Sequence, residues 1–181
     1  MGLLPRRKPF TVHESCLAND TYTTNTTLAY LKAAIRDTID RFHVDRQRII
    51  LLGHSRGAIA TQAIGGADEE VAGLWRGIVA ASHYDGAEHW AYSSHAGGMA
   101  GAIARAQRLS HVPKFLVGEC DLESGIAADW LRNVAKVDMG KVTAVPSGFR
   151  DHTGFWILRP SAARERLRAW VKQMFEQGGW N

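Results

Sequence analysis

No stretch of this chain holds the roughly twenty consecutive apolar residues that a helix needs to cross a bilayer, so no membrane partner is expected. The opening Met1-Gly2-Leu3-Leu4-Pro5-Arg6-Arg7-Lys8 lacks the apolar core of a secretory signal. Arg6 also stands where N-myristoylation after Gly2 needs Ser or Thr. The cytoplasm is therefore the default compartment. Cysteine is scarce: Cys16 and Cys120 form neither a disulfide framework nor a metal-ligand pair by spacing. Concentrated positive charge is lacking too. The net charge is +4 and the isoelectric point about 9.3, yet only Arg6-Arg7-Lys8 and the group Arg164, Arg166, Arg168 are locally dense. Aromatic residues are not interleaved with these bases as in a nucleic-acid platform, so no nucleic-acid partner is expected. No internal repeat or linker is visible. With 181 residues, 45% of them hydrophobic, the chain can bury one sizeable core and reads as a single domain.

What the chain does have is a Gly-x-Ser-x-Gly turn, Gly53-His54-Ser55-Arg56-Gly57, entered from the branched apolar run Ile49–Leu52 and left through Ala58 to Ile64. The run is too short for a buried helix and reads as a parallel strand covered on both faces. A sharp strand-to-helix reversal puts the serine at the strand's C-terminal end in strained backbone angles, which leads us to expect that only Gly53 and Gly57 fit beside it.

Around this turn, strands and helices alternate. Phe10-Thr11-Val12 suits a short strand, and Asn19–Thr27 reads as a polar loop whose two glycosylation patterns are ordinary turn and cap residues. Leu28, Leu31, Ile35, Ile39 and Phe42 recur at helical spacing, and the helix ends near His43. Further strands are expected over Leu74–Ser82, Lys114–Gly118 and Lys141–Val145, and further helices over Gly97–Leu109, Ser124–Val137 and from Pro160-Ser161 to Gly178-Gly179. The pattern predicts an α/β fold: a mostly parallel sheet with helices on both faces.

The elbow, with the stretch Leu116-Val117-Gly118-Glu119-Cys120-Asp121 and with His152 in the loop after the fourth strand, resembles the α/β-hydrolase superfamily over Leu28 to Gly178, the C-terminal half of that fold. The resemblance implies a serine hydrolase with the chain order serine, acid, histidine: Ser55 as nucleophile, Asp121 as orienting acid and His152 as base. Glu119 lies nearer the strand end and competes for the acid role, the family pattern favouring Asp121. Asp151, adjacent to His152, reads as a loop residue, and His54 as packing beside the strand. The backbone N–H of Arg56 would supply one oxyanion donor. Tyr84, His89 and Trp90 fall where the family inserts the cap that lines its substrate pocket. His83, His89 and His95 match no metal-binding spacing, so neither a metal nor another cofactor is expected.

The substrate class implied is a small-molecule ester or amide, most simply a carboxylic ester. A peptidase, thioesterase or polyester depolymerase would share the same order, and a non-catalytic hydrolase-like binding domain is the reading from another class. The family's N-terminal strands have no counterpart in Met1 to Thr27. The nucleophile strand should therefore show a bare apolar edge, completed by a missing N-terminal segment or by homodimerisation.

Overall fold

A computed structural model of the chain describes residues 20–87, 97–119 and 123–177. These form an α/β fold around a four-stranded, wholly parallel sheet in which β1 (Ile50–His54), β2 (Gly77–Ala81), β3 (Lys114–Gly118) and β4 (Val142–Pro146) lie side by side in chain order. The central strands β2 and β3 are buried at every position, which is why β2, and β3 after its opening Lys114, read as apolar runs.

The two-residue period of a strand sorts these side chains onto opposite faces. Val79, Ala81, Phe115, Val117 and Val145 meet Ala163 and Leu167 of α7 (Ala162–Gln177) and Trp156 of the short α6 (Phe155–Leu158). On the other face Ala80 and Leu116 meet α2 (Arg56–Ala63), α4 (Gly98–Arg108) and α5 (Glu123–Asn133) through Ala58, Ala102, Ala106, Trp130 and Leu131. Ile78 joins a third cluster in which α1 (Asp20–Phe42) contributes Leu28, Leu31 and Ile35. Helices thus cover both faces, with α2, α4 and α5 lying in the connections between successive strands. Among the described residues no helix is long and apolar enough to cross a membrane.

Several expected boundaries change. Residues 20–27 open α1 rather than forming a loop. No proline or glycine interrupts 20–42, and Thr or Asn costs a helix only about 0.5 kcal/mol each, little against the packing of the apolar stripe that follows. The strand expected over 74–82 contracts to Gly77–Ala81, with Trp75 committed to the third cluster. Between β1 and β2 a short α3 (Glu69–Ala72) starts where the Asp68 carboxylate accepts the Val71 N–H at 2.8 Å.

The strand that leads into Ser55, β1, is an edge of the described sheet, and Leu52 on it is 47% exposed beside a hollow lined by Tyr30, Leu31, Leu51 and Ile64. Phe10–Val12, the short strand expected from the sequence, lies outside the described residues.

One charge is buried in this frame. Lys114 opens β3 with no exposed surface and donates to the carbonyls of Leu109 (2.6 Å) and Val112 (2.9 Å), closing the turn out of α4. Burial, assisted by the nearby charge of Lys141, pushes its ammonium down from 10.5 to about 8. A lysine depressed in the folded state holds fewer protons than in the unfolded chain between about 8 and 10.5, so its contribution to stability rises with pH through that window. Urea midpoints measured below and above the window should therefore increase with pH in the native chain relative to Lys114→Met. Parallel pH profiles of the two proteins would contradict this.

Candidate active site

The C-terminal ends of all four strands form one rim, and short backbone hydrogen bonds continue the sheet past its last ladder positions. The Ser55 N–H donates to Ala81 O (2.9 Å), the Ser82 N–H to Val117 O (2.8 Å) and the Ser147 N–H to Gly118 O (2.7 Å). These bonds fix the residue after β1, the residue after β2 and the start of the loop after β4 relative to one another.

Ser55 stands between β1 and α2 with φ 58° and ψ −131°, a region that residues with a Cβ seldom enter and that costs on the order of 1–3 kcal/mol. This is the strained reversal expected from Gly-x-Ser-x-Gly. The steric expectation is met at Gly53, where a Cβ would fall 2.2 Å from Gly57 O and 2.7 Å from Ala58 N. It fails at Gly57, which is exposed, with open space where a Cβ would stand. The crowding at the turn falls on the backbone of Gly57, not on its missing side chain.

His152 is brought to Ser55 by the loop after β4. That loop is shaped by Ser147, whose Oγ donates to Phe149 O (2.9 Å) and accepts the Phe149 N–H (3.0 Å), while Phe149 packs against the α7-side cluster. The His152 Nε2 lies 2.8 Å from Ser55 Oγ, and its Nδ1 lies 2.9 Å from Glu119 Oε2. Glu119, the first residue past β3, is 8% exposed, and its Oε1 accepts from the buried Ser82 hydroxyl and faces His54 Nε2 at 3.4 Å.

Burial alone would raise the Glu119 carboxyl. Hydrogen bonds from Ser82, His152 and His54 outweigh it and hold the group below the ordinary 4.5. An ionised carboxylate only accepts, so Nδ1 of His152 carries the imidazole proton and Nε2 is left to accept from the Ser55 hydroxyl. The arrangement can take a proton from Ser55 and stabilise the cation that results.

At Nδ1 of His152 the structure places Glu119, the competitor that the family pattern ranked behind Asp121 for the acid role. A glutamate one residue past the strand reaches the ring because its extra methylene spans the gap from the rim. Asp121 lies outside the described residues. Asp151 is exposed at the loop surface. His54 does more than pack beside the strand, since its ring touches both Glu119 and, at 4.8 Å between centroids, the ring of His152. His83 flanks His152 at 5.4 Å. Burial first, and then the nearby His152, pushes the His83 imidazole down from 6.5, leaving it neutral at pH 7.

Tyr84 departs from the pocket position expected for it. It has no exposed surface and stacks obliquely on Trp130 (centroids 5.9 Å) within the core cluster, so it lines no open pocket. Its expected companions His89 and Trp90 lie outside the described residues, as does His95. Arg56, the expected oxyanion donor, opens α2 directly after Ser55.

Ser82 was not legible in the sequence. It takes φ 76°, a second left-handed non-glycine residue on the rim, and its hydroxyl is committed to the same carboxylate that holds His152. Only the three-dimensional pairing of the β2 and β3 ends reveals it. A different trio also emerges as a potential metal-ligand set: ligand atoms of His54, Glu119 and His152 lie within 4.8 Å of one another.

Comparison of the chain with protein-family models, with curated proteins and with solved structures finds no match in any of the three.

Proposed function

We propose that this protein is a serine hydrolase of the α/β-hydrolase type that cleaves carboxylic esters through an acyl-enzyme on Ser55. The observation that carries the proposal is the continuous hydrogen-bonded series Ser55 Oγ, His152 Nε2, His152 Nδ1, Glu119 Oε2, headed by a serine in strained backbone at a strand end.

In the proposed reaction Ser55 Oγ attacks the ester carbonyl carbon as its proton passes to His152 Nε2, and the ionised Glu119 stabilises the imidazolium. Negative charge on the former carbonyl oxygen is met by the Arg56 N–H at the start of the α2 dipole. His152 then returns the proton to the departing alcohol as the carbon–oxygen bond breaks. Water, deprotonated in turn by His152, releases the acid and restores Ser55. Burst kinetics with short-chain p-nitrophenyl esters test this: a burst of about one nitrophenolate per chain followed by slower turnover is expected. Absence of both burst and turnover in folded protein would favour a non-catalytic binding domain.

Ser82 is a positioning residue in this scheme. Removing its hydroxyl takes a hydrogen bond from a buried carboxylate, worth about 1.5–3 kcal/mol. Ser82→Ala should lower kcat by at least about tenfold with KM little changed. An unchanged kcat would mean that Glu119 is held well enough without it.

A further inference from the structure

The proposed relay places a carboxylate between two imidazoles, and that set is also a zinc ligand set. His54 Nε2 stands 3.4 Å from Glu119 Oε1, and His152 Nδ1 stands 2.9 Å from Glu119 Oε2. Two ligand atoms bound to one tetrahedral zinc at 2.0–2.1 Å lie about 3.4 Å apart. The two distances run to different oxygens of the carboxylate, so a zinc held through a single oxygen keeps one of these pairs, which must open by at most roughly 0.5 Å. The widest separation in the trio, no more than 4.8 Å, must close by up to about 1.4 Å. That movement is within reach of His152, whose side chain is 49% exposed on a loop, and of His54, at 30%. Two nitrogens and one carboxylate, with a fourth position open to water from the exposed side, suit zinc(II) better than a hard, oxygen-seeking cation such as calcium or magnesium.

We infer that His54, Glu119 and His152 bind a divalent transition-metal ion, zinc foremost, and that this ion switches the active site off. The inhibitory consequence rests on the hydrolase proposal above; the binding does not. In the working relay Nδ1 of His152 carries the proton and Nε2 accepts from Ser55. A metal on Nδ1 needs that nitrogen's lone pair, so its proton must leave, and a neutral ring then carries hydrogen on Nε2. In that tautomer Nε2 donates to Ser55 and cannot receive its proton. Glu119, now a metal ligand, no longer compensates an imidazolium. Protein and zinc thus have two mutually exclusive states, relay or chelate, built from the same two side chains. His54 is the residue that makes the second state three-coordinate.

The test has two arms on the full chain. In the first, cobalt(II) is titrated as a spectroscopic stand-in for zinc and its visible bands are followed, with zinc displacing it in competition. The expected result is the intense absorption of a four-coordinate site, with affinity falling at least about 100-fold in His54→Gln and in His54→Phe, the second variant covering misfolding of the first. His111→Gln, an exposed histidine in the connection between α4 and β3 at the opposite end of the sheet, should leave it unchanged. Equal cobalt affinity in the native chain and in folded His54 variants would overturn the site, as would loss of binding in His111→Gln.

In the second arm, labelling of Ser55 by a fluorophosphonate is measured with zinc and with zinc plus EDTA, each variant normalised to its own metal-free rate. Zinc should block labelling of the native chain, EDTA should restore it, and the His54 variants should resist zinc at least about 100-fold better. Zinc sensitivity undiminished in the His54 variants would overturn the switch. If metal-free native chain is not labelled at all, the hydrolase proposal fails and the cobalt arm alone decides the site.

Discussion

Ser55→Ala and His152→Ala should each lower kcat toward ester substrates by on the order of a millionfold, leaving the roughly thousandfold or greater acceleration over water that binding and oxyanion donors provide without a nucleophile–base pair. The expectation follows from the 2.8 Å contact between Ser55 Oγ and His152 Nε2. The two single losses should be far from additive. Ser55→Ala, His152→Ala and the double variant should show similar residual rates, because a base without its nucleophile and a nucleophile without its base are equally idle. A rate reduced only about tenfold in Ser55→Ala would mean that the chemistry passes through another group.

Glu119→Gln should cost about ten-thousandfold in kcat at neutral pH, while Asp121→Asn changes it by less than about tenfold. A glutamine amide offers an N–H toward Nδ1, favours the tautomer with hydrogen on Nε2, and so removes the acceptor that Ser55 needs. The carboxylate also sets a pH limit. Its folded-state value lies below the ordinary 4.5, so its stabilising hydrogen bonds are fully present above about 4.5 and are lost as pH falls through the lower, folded value. Glu119→Gln should therefore flatten the acid side of the stability profile, which thermal unfolding at stepped pH would read. Should Asp121→Asn be the more damaging of the two substitutions, the assignment of Glu119 to His152 is wrong.

These two predictions divide along what the sequence could disclose. Ser55 was legible because the reversal at its position makes a steric demand that Gly53 answers, with Gly57 O only 2.2 Å from where a Cβ would stand. His152 was legible because a histidine in the loop after the last strand has few other duties. The choice between Glu119 and Asp121 was not. The two carboxylates stand two residues apart in the sequence, and the direction of Glu119 toward the ring comes from the pairing of β3 with β4 and from the Ser82 hydroxyl. Ser82 itself carries no signal in a string of letters, since its strain and its contact both come from the meeting of two strand ends. Tyr84 misled for a related reason. Aromatic composition near a strand end suits a pocket as well as a core, and here the ring is spent on packing with Trp130. The polar start of α1 misled because helix propensity is weak against the burial of Leu28, Leu31 and Ile35 one turn further on.

The central claim is that Ser55 is an activated nucleophile, and covalent capture reads this directly. Folded, metal-free chain treated with a fluorophosphonate should gain one adduct by intact mass, peptide mapping should place it on Ser55, and His152→Ala should react far more slowly under the same conditions. A folded chain that gains no adduct, or gains one equally fast without His152, would contradict the account.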